Sequence, residues 1–234
     1  ILELPDEPQY VLDRASCLQR GREIAAERGD AKTEIERAQA ALQLLRESPF
    51  HAETAEASAF RDLAEAYRDA GQYTKAITAF EQASTQFALL GRDNTENAGT
   101  LYNNWALALY QAGRPLEAEE LFRRAIEISR ADNTEAALSP MLLLNYARPL
   151  RELKRLDEAA DYADRANARA QKVGDEVVVN QSLLELARIY REQRNFTGAA
   201  EVLRGVEPRL RRNLSPGHYA FAALASERSL LAHA

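Results

Sequence analysis

An alanine recurs at a nearly constant spacing through most of this chain, each time inside an amphipathic helical pattern. The recurring residues are Ala64, Ala106, Ala147, Ala187 and Ala225. Successive members lie 42, 41, 40 and 38 residues apart. A period of this length indicates stacked supersecondary units, because one such unit cannot bury its apolar face alone. The spacing therefore predicts a solenoid of repeated units.

A second alanine follows each of the first four by 12 residues, on the far side of a turn. These residues are Ala76, Ala118, Ala159 and Ala199. Large residues surround both alanines at helical spacing, as Tyr102, Trp105 and Leu109 do before Gly113, and Phe122 after it. A small side chain at these sites lets two helices approach closely while the large neighbours fill the space on either side. Each unit is therefore predicted to be an antiparallel helix pair.

These residues resemble the tetratricopeptide repeat (TPR), which reads large-x-x-large-Ala-x-x-large, a turn, and then Ala-x-x-x-Phe-x-x-Ala. The resemblance runs from about Phe50 to Ala234. The period of this chain exceeds the usual ~34 residues, and the proline that commonly ends a repeat is missing. Both differences are typical of longer second helices, as in kinesin light chains and bacterial regulatory TPR proteins. The resemblance implies an all-α, right-handed superhelical solenoid of antiparallel helix pairs.

The pattern divides the chain into a central array and two ends. The array spans 50–214, with repeats at about 50–91, 92–133, 134–174 and 175–214. The segment 1–49 is predicted to be a divergent helix pair, with helices at about 10–27 and 31–46 and with Gly21 in the place of the recurring alanine. The segment 215–234 is either a capping helix or a half repeat, and we expect Ser215 to cap its first turn.

Composition excludes several classes of partner. The chain has 36 acidic and 30 basic residues and a net charge of −6, which disfavours nucleic acid because phosphate binding needs a basic surface. No apolar run approaches the ~18 residues of a membrane span, so no membrane partner is expected. The chain begins at Ile1 and contains one methionine, Met141. We therefore expect a piece of a longer protein. The single cysteine, Cys17, is compatible with a reducing compartment, and we expect a cytoplasmic location.

The sequence contains little that predicts catalysis or metal binding. The three histidines are far from the i, i+4 spacing that places two imidazoles on one helical face. Phosphate-binding glycine loops and the G-x-S-x-G elbow are missing. Cys17 lies on a helix and is predicted to be a core residue. We expect no enzyme activity, no metal and no cofactor.

The TPR resemblance implies that the first helices of the repeats line a groove in which ligands lie. Residues on the side of these helices away from the alanines are its candidate lining. The predicted ligand-groove residues are Arg61, Arg68, Asn103, Asn104, Leu107, Gln111, Asn145, Arg148, Arg151, Arg188 and Arg191. Acidic and amide residues, among them Glu65, Glu152, Gln181 and Glu185, share this face.

Arginines on this face have two interpretations. A guanidinium binds a carboxylate in a bidentate fork, and asparagine amides can hold an extended peptide backbone. Alternatively, Arg61–Glu65, Arg148–Glu152 and Arg188–Glu192 are ordinary i, i+4 pairs on a helix surface. Composition favours this second interpretation, because the chain has 26 arginines and four lysines.

The hypothesis from sequence is a non-catalytic protein–protein interaction module. It binds a partner protein or peptide, one that is acidic or has a free C-terminus, in the groove of the array. The alternative is a sensory or regulatory TPR domain of a larger bacterial signalling protein, a kinase or a transcription regulator. The terminal repeat also permits pairing with a second copy of the chain, as a homodimer.

Overall fold

The computed structural model describes residues 8–49, 52–131, 138–213 and 218–233. Within these ranges the chain forms eleven α-helices, a short 3₁₀ turn at Pro8–Tyr10 and no strand. The helices are α1 Val11–Glu27, α2 Ala31–Arg46, α3 Glu53–Asp69, α4 Tyr73–Leu89, α5 Glu96–Gln111, α6 Pro115–Ala131, α7 Pro140–Glu152, α8 Leu156–Val173, α9 Glu176–Glu192, α10 Phe196–Asn213 and α11 Tyr219–Ala232.

The chain divides into two compact units, unit 1 up to Ile128 and unit 2 from Ser129. In unit 1, α1 packs against α2 and α3 against α4, and the first helices α1, α3 and α5 also touch in sequence. In unit 2, α7 packs against α8 and α9 against α10, and the first helices α7, α9 and α11 touch in the same way. The all-α class and the antiparallel helix pairs predicted from the sequence are confirmed.

The turn within each pair uses one recurring hydrogen bond. The backbone N–H of Arg114 donates to the carbonyl of Leu109 at 2.9 Å, after Gly113 has adopted a φ of 75°. The same bond closes the turns in unit 2, where Lys154 and Arg194 take the left-handed position with φ of 61°. This geometry satisfies carbonyls that the helix end would leave unpaired. The first helix therefore turns back onto the second within a few residues.

Most of the recurring alanines are fully buried within the helix pairs. Ala64, Ala106, Ala147 and their four partners on the second helices are 0% exposed, and Ala187 is 2% exposed. Ala225 differs, because its side chain is exposed on α11. In the other repeats this face is covered by a second helix, and no helix of the described chain follows α11.

The first helix pair matches its predicted bounds to within one residue. Gly21 is buried on α1, where an added Cβ would collide with the guanidinium of Arg37 on α2. The prediction that Cys17 is a core residue is wrong, because its side chain is exposed. The buried stripe of α1 contains Val11, Ala15 and Ala25, and Cys17 lies away from it around the helix.

The last helix joins unit 2 through an apolar cluster. Its buried members are Leu184, Ala187, Leu203, Val206, Leu210, Ala220 and Leu224. The predicted cap Ser215 lies outside the described residues, and α11 begins instead at Tyr219. The side chain of His218 caps it by accepting a hydrogen bond from the Ala220 N–H at 3.2 Å. This cluster holds α11 beside α9. The polar face of α11 therefore extends the row of first helices in unit 2.

Candidate functional site

In unit 1 the first helices meet around a buried arginine. Arg22 on α1 is 8% exposed, and its Nη1 lies 3.3 Å from Glu34 and 3.7 Å from Glu65. Its Nη2 lies 4.0 Å from Asp62. Sequence reasoning missed Arg22. The available signal was its place directly after Gly21, since Glu65 follows Ala64 in the same way.

Three predicted groove residues join this cluster through hydrogen bonds. Asn104 Nδ2 on α5 donates to Glu65 Oε1 at 2.7 Å, and Asn103 Nδ2 donates to Asn104 Oδ1 at 2.9 Å. Arg61 Nη2 binds Asp62 at 3.1 Å, and its Nε lies 3.7 Å from Glu65. The structure therefore brings Arg61, Asn103 and Asn104 together and pairs them within the chain.

The other predicted residues of unit 1 lie at the edges of this cluster. Arg68 binds its neighbour Asp69 at 2.8 Å. Leu107 is half-buried and Gln111 is exposed, both on α5. Neither contributes a charge to the cluster.

Carboxylates outnumber guanidinium groups at the centre of unit 1. Burial raises the pKa of Glu65, against the opposing effect of Arg61. Burial and the nearby Asp69 likewise raise the pKa of Glu34, and Arg22 only partly offsets them. These carboxyl groups hold their protons more tightly than exposed glutamates do. This face of unit 1 is therefore poorly suited to an acidic ligand.

In unit 2 a row of ion pairs joins the first helices α7 and α9. Arg151 Nε donates to Glu185 Oε1 at 2.6 Å, and its Nη1 donates to Glu192 Oε1 at 2.7 Å. Lys154 Nζ binds the other oxygen of Glu192 at 2.8 Å. Glu185 is 1% exposed. The row of ion pairs thus includes a carboxylate, that of Glu185, which is almost inaccessible to solvent.

A second row joins α9 to α11 and includes a residue that the sequence did not single out. Arg188 Nε donates to Glu227 Oε1 at 2.9 Å, and Arg191 Nε lies 3.4 Å from Glu227 Oε2. Arg188 Nη1 also donates to Glu185 at 3.2 Å. Glu227 is buried on α11. Sequence reasoning missed Glu227, because nothing in the sequence around Ala225 indicates that a glutamate two residues later is buried.

Arg148 differs from Arg151, Arg188 and Arg191, the other predicted groove arginines of unit 2. Its Nη1 donates to Asn145 Oδ1 at 3.1 Å, and its Nη2 donates to Gln181 Oε1 at 3.3 Å. Among the described residues no carboxylate lies within 4.0 Å of it. Both partners of the Arg148 guanidinium are therefore uncharged amides.

Most pairs on these faces run between helices and not along one. The expected Arg61–Glu65 pair is present, but Arg148 and Arg188 do not pair with Glu152 and Glu192. Long side chains on the first helices instead reach the next first helix, where partial burial strengthens the attraction. The interpretation of these two arginines as members of i, i+4 pairs is wrong.

The ion pairs perturb the ionisation of their members. Burial lowers the pKa of the Arg151 guanidinium, but the charges of Glu185 and Glu192 outweigh this effect and raise it overall. The pKa of Arg188 is raised for the same reason, by Glu185 and Glu227. Burial acts to raise the pKa of Glu192, but hydrogen bonds from Lys154 and Arg151 hold it below its usual value. These groups therefore stay charged at neutral pH.

The charges of unit 2 do not balance on this face. We use the name unit 2 first-helix face for Asn145, Arg148, Arg151, Glu152, Lys154, Gln181, Glu185, Arg188, Arg191, Glu192 and Glu227. It carries five cationic and four anionic side chains, in a chain whose net charge is −6. Across the described ranges, no group of three or more histidine, cysteine or acidic residues is placed to hold a metal ion. No helix within the described residues is both long enough and apolar enough to cross a membrane.

The MalT-like TPR region family model matches residues 22–232. The chain belongs to this family. The resemblance to the tetratricopeptide repeat is thus confirmed. The match includes α11 and the last six residues of α1, beginning with Arg22, so it covers the charged clusters of both units described above.

TPR-like solved structures share the fold of this chain at low sequence identity. BtubC (BKLC) from P. vanneervenii is 19% identical, with a TM-score of 0.76, over 91% of this chain and 86% of that chain. A kinesin light chain with nearly identical TPR-like repeats from Podosopora anserina is 19% identical, with a TM-score of 0.69, over 90% and 100%. YrrB, described as a TPR protein with an unusual peptide-binding site, is 17% identical, with a TM-score of 0.56, over 88% of each chain. No curated protein sequence matches the chain.

The TPR register makes residues of different repeats directly comparable. Arg148 follows Ala147 as Arg188 follows Ala187, so the two arginines occupy the same position of consecutive repeats. Asn145 and Glu185 are likewise equivalent, each three residues before its arginine. Along the unit 2 first-helix face, one TPR position thus holds an arginine bound by amides in one repeat and by carboxylates in the next.

Proposed function

We propose that this chain is a non-catalytic protein-interaction module that binds a peptide or an extended segment of a partner protein along its first helices. The observation that carries the proposal is the excess of positive charge on the unit 2 first-helix face. Five cations and four carboxylates lie there in an otherwise acidic chain. A ligand with acidic side chains or a free C-terminal carboxylate complements this charge.

The pairing of these cations supports a rigid binding surface. Arg151, Arg188 and Arg191 are held by carboxylates of neighbouring helices, and each is only partly exposed. Side chains that are already ordered lose little entropy when a ligand binds. The charge is therefore displayed in a preorganised form, as a peptide-binding surface requires.

The first-helix face of unit 1, taken by itself, suits uncharged groups of a ligand. Asn103 and Asn104 present amide groups, Leu107 is a half-buried apolar residue and Gln111 is exposed. Arg61 and Arg68 each lie beside an acidic neighbour. We assign these residues to contacts with the backbone or with neutral side chains of a peptide, not with its carboxylates.

The test is selection of ligands from a random peptide library displayed on phage, followed by site-specific cross-linking. Cys17 is the only cysteine of the chain and is exposed, so Cys17→Ser provides a cysteine-free background. Glu152→Cys places a benzophenone label one helical turn from Arg148, and Arg204→Cys places it on the second helix α10 as the matched control. Both positions are exposed.

Enriched peptides should cross-link from position 152 and not from position 204. Cross-linking from position 204 alone would move the binding surface to the second helices. Failure to enrich any peptide sequence would exclude peptide binding as the function.

The second candidate is a regulatory domain of a larger protein, and the family match to the MalT-like TPR region favours it. In this case binding of a ligand to the array changes the activity of an adjoining domain. The full-length reading frame tests this directly, by showing whether a kinase or DNA-binding domain lies next to 1–234. Activity of that domain, measured with and without the enriched peptide, would then separate regulation from simple scaffolding.

A further inference from the structure

Arg148 and Arg188 provide an internal comparison, because they occupy the same repeat position with different partners. Arg188 is bound by Glu185 on its own helix and by Glu227 on the next first helix. Arg148 is bound by Asn145 on its own helix and by Gln181 on the next first helix. The partner three residues before the arginine has thus changed from carboxylate to amide, while the arginine is retained. The partner on the next first helix is also an amide for Arg148 and a carboxylate for Arg188, although Gln181 and Glu227 occupy different repeat positions.

This exchange keeps the orientation of the guanidinium but leaves its charge unneutralised. An amide oxygen accepts a hydrogen bond as a carboxylate does, but it carries no formal charge. The hydrogen bonds to Asn145 and Gln181 use two of the five N–H donors of Arg148, so three donors are left for a ligand. The side chain is partly exposed, which leaves it accessible from solvent.

A purely structural role would favour the arrangement found at Arg188. Arg151, Lys154, Arg188 and Arg191 each bind a carboxylate of a neighbouring first helix within 3.4 Å. A cation that only joined two helices would gain more from a charged partner than from two amides, because hydrogen bonds between charged groups are stronger. The neighbours of Arg148 therefore orient its guanidinium without neutralising its charge.

We infer that Arg148, oriented by Asn145 and Gln181, binds a carboxylate of the peptide ligand. The inference rests on the proposed function and specifies one chemical contact within it. The carboxylate belongs to an aspartate or glutamate side chain or to the C-terminus of the peptide, since a guanidinium binds both in the same way.

The experiment compares the parent chain with Arg148→Gln in selections from two random peptide libraries displayed on phage. In one library the peptides are fused to the phage through their C-termini, so that only side chains supply carboxylates. In the other they are displayed with a free C-terminus. Arg204→Gln is the matched control, because it removes the same charge from an exposed position on the second helix α10.

The parent and Arg204→Gln should enrich peptides with an acidic residue at one fixed position, or peptides that bind only with a free C-terminus. Arg148→Gln should lose that preference alone and bind the parent's peptides at least about tenfold more weakly. Gln181→Glu should have the same effect with Arg148 still in place, because an internal carboxylate would then occupy the guanidinium.

The outcomes separate this inference from the proposed function. Enrichment without any carboxylate preference, or an unchanged preference in Arg148→Gln, overturns the role of Arg148 and leaves peptide binding intact. Failure of the parent chain to enrich peptides overturns both. A thermal melt of each variant shows that a lost preference does not reflect unfolding.

Discussion

Arg151 on α7 and Glu185 on α9 form an ion pair between consecutive first helices, with 2.6 Å between Nε and Oε1. Glu185 also accepts a hydrogen bond from Arg188 on its own helix, so one buried carboxylate connects both rows of cations in unit 2. Ion pairs to a buried carboxylate make the stacking of the first helices specific, since a shifted register would leave buried charges unpaired.

Replacing Glu185 should therefore destabilise unit 2. Glu185→Gln keeps the shape of the side chain but leaves two guanidinium groups without one of their carboxylates, at an expected cost of about 2 kcal/mol or more. Urea unfolding measures this free energy. Glu152→Gln, an exposed residue on α7, is the control and should change stability by less than about 0.5 kcal/mol. Equal effects of the two substitutions would contradict a structural role for Glu185.

The same substitution should destabilise the chain much more at Arg188 than at the equivalent Arg148. Arg188→Gln leaves the buried Glu227 and Glu185 short of a cation, and we expect a loss of about 1–3 kcal/mol. Arg148→Gln removes a charge that no described carboxylate neutralises, and it should cost less than about 0.5 kcal/mol. Thermal or urea unfolding of both variants checks the contrast. A loss of stability in Arg148→Gln as large as that in Arg188→Gln would place Arg148 among the structural cations.

The alanine positions should tolerate enlargement only where no second helix covers them. Ala147 is 0% exposed, so Ala147→Leu forces α7 and α8 apart and should cost about 1–3 kcal/mol. Ala225 is exposed on α11, and Ala225→Leu should leave the free energy of unfolding nearly unchanged. The pair of variants is measured by chemical denaturation. A destabilising Ala225→Leu would show that another helix covers α11 in solution.

The buried carboxyl groups of unit 1 should make its stability depend on pH. The pKa of Glu34 is raised above its ordinary value of 4.5, by burial first and by Asp69 next, while Arg22 and Arg68 oppose the shift. The folded state therefore binds the proton more tightly than the unfolded state. This contribution to stability is fully present below the unfolded pKa and is lost as pH rises through the folded pKa.

Glu34→Gln isolates this effect, because it carries a neutral side chain at every pH. The parent chain should lose stability relative to Glu34→Gln as the pH rises from about 4.5 towards neutrality. The difference in the free energy of unfolding between the two chains, followed by urea titration across this range, is the measurement. A parent chain that gains stability relative to the variant as pH rises would mean that Arg22 outweighs burial.

Helix pairs and their spacing could be predicted from the sequence because they depend on local and repeated features. Ala106 and Ala118 are separated by a turn at Gly113, and one helical period relates them to their large neighbours. The same geometry recurs in every complete repeat, so each copy supports the others. The position of Cys17 was mispredicted because the divergent first pair lacks this redundancy.

The candidate site was less predictable, because long charged side chains have more than one partner within reach. Arg188 lies four residues before Glu192 in the sequence, yet it binds Glu227 on another helix. Arg22 and Glu227 lie near the ends of the alanine pattern, and nothing in their local sequence indicates that they are buried. Only the packing of neighbouring first helices shows which of these charges are neutralised.

The sequence by itself thus determined the helices, their pairing and the family, because these follow from the size and periodicity of apolar side chains. The tertiary structure decided which polar residues are structural and which are available to a ligand. Choice of partner depends on distances between helices that lie about 40 residues apart in the chain, and no local pattern encodes them. Arg148 and Arg188 occupy the same repeat position in the sequence, and their partners in the structure, on their own helix and on the next first helix, distinguish them.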